Sequence, residues 1–164
     1  MPSSKLKYMD HEGGRMISSI LVPSDGSKTS QKAAAYAVNL AKQLGAKVIA
    51  LSVVDKRLFM GQTIPASKTP RHLVEPVEDY LQSVAMAYLG EITKLCDKSG
   101  VASKTSLRIG YPVEEILKEA RKTKADLIVM GSRGRSALSA TVLGSVSYGV
   151  IHNDKSIPVL IVRG

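Results

Sequence analysis

ADLIVMGSRG, residues 125–134, decides the fold class. Its first six residues, Ala125 to Met130, are nearly all apolar, which marks a strand buried on both faces. Strands of that kind belong to parallel sheets covered by helices on both sides. The run breaks at once into Gly131-Ser132-Arg133-Gly134, a glycine-rich turn directly after the strand.

Outward from this stretch, strand and helix alternate. Met16 to Val22 reads as a first strand that stops at Pro23. Ser27 to Leu44 carries Ala34, Ala37, Val38, Ala41 and Leu44 at helical spacing, and Gly45 follows as a C-cap signal. Lys47 to Val54 is a second strand. Val74 to Ser99 predicts a long helix with Val77, Leu81, Val84, Ala85, Tyr88, Leu89, Ile92 and Leu95 on its apolar side, closed by Gly100. Ser103 to Ile109 is a third strand. Gly110-Tyr111-Pro112 then opens a helix to about Thr123, with proline suited to its first turn and Glu114 and Glu115 to its positive end. Ile157 to Val162 is the fifth strand. Five strands alternating with helices imply one α/β domain: a doubly wound parallel sheet with right-handed crossovers and helices on both faces. Ligands in such folds bind outside the carboxyl ends of the strands.

The chain has 164 residues, enough for one domain with a sizeable core. Residues 1–15 contain no apolar run; they read as a flexible tail outside a domain at 16–164, and not as a secretory signal. No apolar run is long enough to span a bilayer. A lone cysteine, Cys96, precludes an intramolecular disulfide and suits a cytoplasmic setting. The net charge of +9 raises the question of a polyanion partner. The densest basic cluster, Lys118, Arg121, Lys122 and Lys124, falls in the last turns of a helix, where cations suit the dipole. No aromatic stripe accompanies the charge, and the sequence disfavours nucleic-acid binding. Lys56 to Leu73, with Gly61, Pro65 and Pro70, is long for a strand-to-helix connection. It reads equally as a flap over the site or as a plain connector.

The chemistry concentrates after the fourth strand. Glycines at 131 and 134 allow backbone N–H groups to approach a phosphate. Nine residues further on, Gly144-Ser145 reads as a helix start, with Ser145 as N-cap and Val146, Val150 and Ile151 turned inward. Free amides and the dipole of a helix N-terminus favour anions. Arg133 and Arg135 add positive charge. The stretch lacks the Gly-Lys-Ser/Thr of a Walker loop and the GxGxxG of a dinucleotide fold. Asp25, after the first strand, is placed either to accept from ribose hydroxyls or to cap the helix that follows. His72, His152 and Cys96 read as solvent-facing, helix-ending and buried side chains rather than as reactive groups.

The spacing Gly131-x-x-Gly134-x9-Gly144-Ser145 resembles the nucleotide-binding motif of universal stress proteins of the ATP-binding type. ILVPSDGS at residues 20–27, ALSVVD at 50–55, GSVSYGVI at 144–151 and PVLIV at 158–162 extend the resemblance over nearly all of Met16 to Val162. It implies a sheet of order 3-2-1-4-5, Rossmann-like in character. It places Pro23 and Asp25 against the adenosine, the Val53 backbone at the adenine edge and the Met130 backbone at the ribose. Gly131, Ser132, Arg133, Gly134, Gly144, Ser145 and Val146 would surround the phosphates of ATP, ADP or AMP, with Mg²⁺ or Mn²⁺ bridging phosphate oxygens. It also implies a homodimer, and the apolar strand at 157–162 is the edge that would pair. With no Ser-His-Asp set, metal cluster or placed general base, the expected role is a nucleotide-dependent regulator with at most slow ATP hydrolysis. A genuine ATPase or adenylyl-transfer enzyme, and a nucleotide-free interaction scaffold, are the alternatives.

Overall fold

The structure, a computed structural model, describes residues 16–60, 71–134 and 143–164. Its elements in chain order are β1 (Ser19–Pro23), α1 (Lys28–Leu44), β2 (Lys47–Asp55), α2 (Arg57–Met60), α3 (Arg71–Ser99), β3 (Ser103–Gly110), α4 (Pro112–Lys122), β4 (Leu127–Gly131), α5 (Ser145–Asn153) and β5 (Val159–Val162). The five strands form one parallel sheet in the order β3-β2-β1-β4-β5, as expected.

Strand alternation divides the core into two halves. Ile20, Val22, Val48, Ala50, Leu127 and Val129 face one side, where they meet the alanines of α1 and Leu89, Ile92 and Cys96 of α3. Leu21, Ile49, Leu51, Ile128 and Met130 face the other, against Ile116, Leu117 and Ala120 of α4 and Val150 of α5. Small residues at Ala33, Ala34, Ala37 and Ala41 let α1 lie close to β1 and β4. Cys96 is fully buried, and burial pushes its thiol pKa up.

Several boundaries differ from the sequence reading. β1 begins at Ser19, and Met16 is exposed; Asp126 accepts from the backbone of Ser18 and Ser19 there, so the chain enters the sheet at that anchor. Pro23 does not follow the strand's end but is its last residue, paired with Leu51. Four residues of the long connection, Arg57–Met60, form α2, and α3 begins at Arg71 instead of Val74. Residues 61–70, with Gly61, Pro65 and Pro70, lie outside the described residues, as does the expected tail at 1–15. β5 is shorter than expected and starts at Val159.

The order reverses between β1 and β4, since β2 and β3 extend one way and β4 and β5 the other. A crevice opens at such a point, because the loops leaving the two central strands turn to opposite faces. No described helix is long and apolar enough to cross a membrane.

Candidate functional site

A cleft of about 660 Å³ lies over the carboxyl ends of β1, β2 and β4. That volume is within the range of small-molecule sites. Pro23, Asp25, Val53, Met130, Gly131, Arg133, Gly134, Gly144, Ser145 and Val146 all line it. These are residues the sequence singled out, drawn together from four separate segments. Ser132 does not line it: the residue is buried, and its N–H donates to the Val162 carbonyl at 2.9 Å, which extends the β4–β5 ladder. Its amide is therefore not presented to a ligand. Arg135 and His72 lie outside the residues whose side chains are described.

The two glycine segments meet. The Gly144 N–H donates to the Ser132 carbonyl at 2.7 Å, and the space beside the Gly144 Cα is filled by Arg133 and Gly134 backbone atoms. Gly144 is the N-cap of α5, with no side-chain cap, and Ser145 is the first helical residue. That corrects the expectation of Ser145 as N-cap. Its consequence is that the Ser145, Val146 and Ser147 amides, which have no carbonyl partner within the helix, begin at the cleft wall. Ser147, which sequence reasoning passed over, donates through Oγ to the Gly131 carbonyl at 2.8 Å and ties α5 to the end of β4.

The glycines serve closeness between protein segments more than open access. None of Gly131, Gly134 and Gly144 has a positive φ. A Cβ at Gly131 would stand 2.8 Å from the Thr29 carbonyl carbon and 2.9 Å from the Ser30 nitrogen, in the first turn of α1. Thr29 Oγ1 also donates to the Arg133 carbonyl. One at Gly134 would stand 2.8 Å from Asp25 Oδ2, so the Asp25 carboxylate lies against the glycine loop. Asp25 does not cap α1. Ser27 is the N-cap and accepts from Ser30 N–H, while Asp25 Oδ1 accepts from Ser27 N–H at 3.0 Å.

At the other end of the cleft, Val53 offers a backbone pair. The Leu51 carbonyl accepts from Ser24 N–H at 2.8 Å on the β1 side. Backbone groups two residues on point the same way, so the Val53 N–H and C=O face that side too, where β1 has ended. Beyond it Asp55 and Arg57 form an ion pair on the cleft wall. The Arg57 guanidinium hydrogen-bonds the Asp55 carboxyl and holds its pKa below the usual carboxylate value. Leu58 of α2 and Leu81, Val84, Ala85 and Tyr88 of α3 complete an apolar wall that the sequence did not assign to the site. Their helical period was visible; that this part of α3 rises past the sheet was not. Among the described residues no three His, Cys, Asp or Glu side chains cluster as a metal centre.

Comparison with known proteins gives the same fold with related sequences. The profile of the Universal stress protein family matches residues 16–163. The chain is 38% identical over 158 residues to universal stress protein MJ0531 of Methanocaldococcus jannaschii, covering 96% of this chain and 89% of that one. The solved structure of MJ0577 from the same organism superposes with a TM-score of 0.79 at 29% identity, covering 92% of this chain and 98% of that one. A universal stress protein solved in complex with cAMP superposes with a TM-score of 0.63 at 27% identity, covering 91% and 98% of the two chains.

Proposed function

The chain belongs to the universal stress protein family, and from that premise we propose that it binds an adenine nucleotide, ATP foremost, in the cleft over β1, β2 and β4, as a regulator whose partners or shape depend on the bound nucleotide. The observation that carries this reading is the hydrogen-bonded convergence of residues 131–134 with the start of α5 on the cleft wall. The α5 amides and the backbone of residues 131–134 share that wall, which suits a chain of phosphates. The relative with cAMP bound supports an adenine nucleotide over other ligands of that size.

The base end agrees. An adenine Watson–Crick edge presents an acceptor beside a donor, and the Val53 N–H and C=O complement them in that order; guanine reverses the order. Asp25 is positioned between base and phosphate regions to accept from ribose hydroxyls. Mg²⁺ or Mn²⁺ belongs to the same proposal, held by phosphate oxygens and keeping several of its waters. Hydrolysis in this reading is at most slow, because the one described carboxylate placed beside Gly134, Asp25, is assigned to the ribose.

Denaturing gently purified protein and identifying the released nucleotide is the direct test. Ser145→Pro then isolates the phosphate contacts. Proline is favoured at the first helical position, and Gly144 already has the extended conformation, φ −61° and ψ 151°, that a following proline requires. The variant keeps α5 but loses one amide and one hydroxyl at the cleft. ATP affinity is expected to fall about tenfold or more with the melting temperature unchanged. Unaltered affinity in this variant would mean the phosphates lie elsewhere.

A further inference from the structure

Gly26 is gripped from three directions. The Tyr88 ring of α3 occupies the place of its absent side chain, 2.2 Å from where a Cβ would stand, and its φ of +76° suits glycine alone. Its N–H donates to Ser24 Oγ at 3.3 Å. Its carbonyl accepts from Gln31 Nε2 of α1 at 3.2 Å. Tyr88, Ser24 and Gln31 all line a second cavity, of about 340 Å³, between α1 and α3. Ser24 and Tyr88 line the nucleotide cleft as well, so these two residues stand between the spaces.

The second cavity has its own chemistry. Ala34 and Ile92, both buried, and the half-buried Leu95 give it an aliphatic floor beside the tyrosine ring. Lys94 and Lys98, one helical turn apart, stand at its exposed mouth. Among the described residues neither lysine is in an ion pair. An apolar floor with an aromatic face takes a flat hydrocarbon body; Glu91 also lines the cavity, but the two lysines outnumber it and leave the rim net positive, which takes a negative charge. The geometry points to a second ligand site, for a small flat organic anion, that acts on the nucleotide cleft through Gly26. The next residue back is Asp25, whose carboxylate lies against Gly134 in the cleft. An occupant that pushes Tyr88 or draws away the Gln31 amide moves Gly26, and Asp25 with it. The effect on nucleotide affinity rests on the function proposed above; the site itself does not.

The probe is 2-naphthoate, added to the full chain and followed by amide resonances. Saturable shifts at Gly26, Ala34 and Ile92 are expected, with a dissociation constant on the order of 1 mM or tighter. Lys94→Glu with Lys98→Glu, both at exposed positions, should weaken binding about tenfold without lowering the melting temperature. The uncharged analogue 2-naphthylmethanol should bind more weakly than the acid. Shifts confined to Val53 and Val146 would place the probe in the nucleotide cleft and overturn the site, as would no saturable shift. With naphthoate saturating, ATP affinity should change about fivefold, and Gln31→Ala should reduce that change to under about twofold. Naphthoate bound with ATP affinity constant overturns the coupling. A protein that binds naphthoate as described but never binds ATP overturns the nucleotide reading and its coupling, and leaves the second site standing.

Discussion

Glycine is required for different physical reasons at different points of this chain, and single substitutions separate them. At Gly131 the backbone is ordinary, but an added Cβ meets main-chain atoms of Thr29 and Ser30 at 2.8 and 2.9 Å. Backbone cannot rotate aside, so Gly131→Ala must push α1 away from β4, at a cost of about 1–3 kcal/mol. At Gly45, the C-cap of α1, nothing lies within 4 Å of the Cβ position, but φ is +67°. Gly45→Ala pays for the left-handed conformation alone, about 1 kcal/mol. Urea unfolding of both variants checks the pair: equal losses would mean that α1 accommodates the methyl group at 131 freely. The Gly45 role was readable from sequence, because a glycine after a helical period is a local signal. The Gly131 role was not. Spacing shows that a side chain is missing, but what occupies the gap is set by Thr29, a hundred residues earlier in the chain. For the same reason the motif named residues 131, 133, 134, 144 and 145, which line the cleft, while the glycines' immediate neighbours, and the buried amide of Ser132, stayed hidden.

Elements on the helical face of α4 and α5 are joined by charge. Arg121 of α4 bonds Asp154, the C-cap of α5, at 2.7 Å, and Asp154 also accepts from the Ser156 backbone and hydroxyl. The Ser156 hydrogen bonds, with Arg121 beside them, hold the Asp154 pKa down to about 2. A carboxylate whose folded pKa is depressed contributes stability above its unfolded pKa of about 3.9, and the contribution fades as pH falls toward the folded value. Asp154→Asn is therefore expected to lower stability at pH 7 by about 1 kcal/mol, with the gap to the parent closing between about pH 5 and pH 2. Urea midpoints at neutral and acid pH measure it; a gap that persists undiminished in acid would show that ionised Asp154 contributes nothing. The same contacts explain part of the basic composition. Arg121 is paired with Asp154 and Lys118 with Glu115, so half of the densest cationic cluster is neutralised locally. Element types were legible from period and caps, down to Gly45 and Pro112, whereas the N-cap of α1 is Ser27 and not the Asp25 that the sequence offered for it. Lengths were less so. Val77 is exposed although it continues the apolar period of α3. That helix has 29 residues, about 43 Å at 1.5 Å each, and its first turns run past the end of the sheet. Periodicity reports which side faces inward, but not where the partner surface stops.

At the scale of the whole molecule, the sheet of the described residues ends in β3 on one side and β5 on the other, and these edges are defended unequally. On β3, Lys104 and Thr105 are exposed and Arg108 is drawn onto Glu119 of α4, so the edge presents charge and polar groups that discourage a further strand. β5 carries Val-Leu-Ile-Val with no charged residue between Val159 and Val162. Its register fixes which groups are free. The Pro158 and Val162 carbonyls accept from Ile128 and Ser132 on the β4 side, so the backbone groups of Val159 and Ile161 point away from the sheet. An outward row of this kind on an apolar strand suits antiparallel pairing with a second copy about a two-fold axis, and we propose that dimer. A charge at Leu160 tests it poorly, because Leu160 also packs against the α1 side of the core. Val159→Pro is sharper. It removes an outward donor while the β4–β5 hydrogen bonds stay intact, and proline is tolerated on an edge. Light scattering should then report a monomer from a parent dimer, with the cleft over β1, β2 and β4 unaffected because Val159 lies at the far end of the strand from Gly131. If the variant remains dimeric, the interface lies elsewhere; the exposed Tyr148, stacked on His152, and Ile151, which faces outward on α5 and not inward as its spacing implied, would be the next surface to alter.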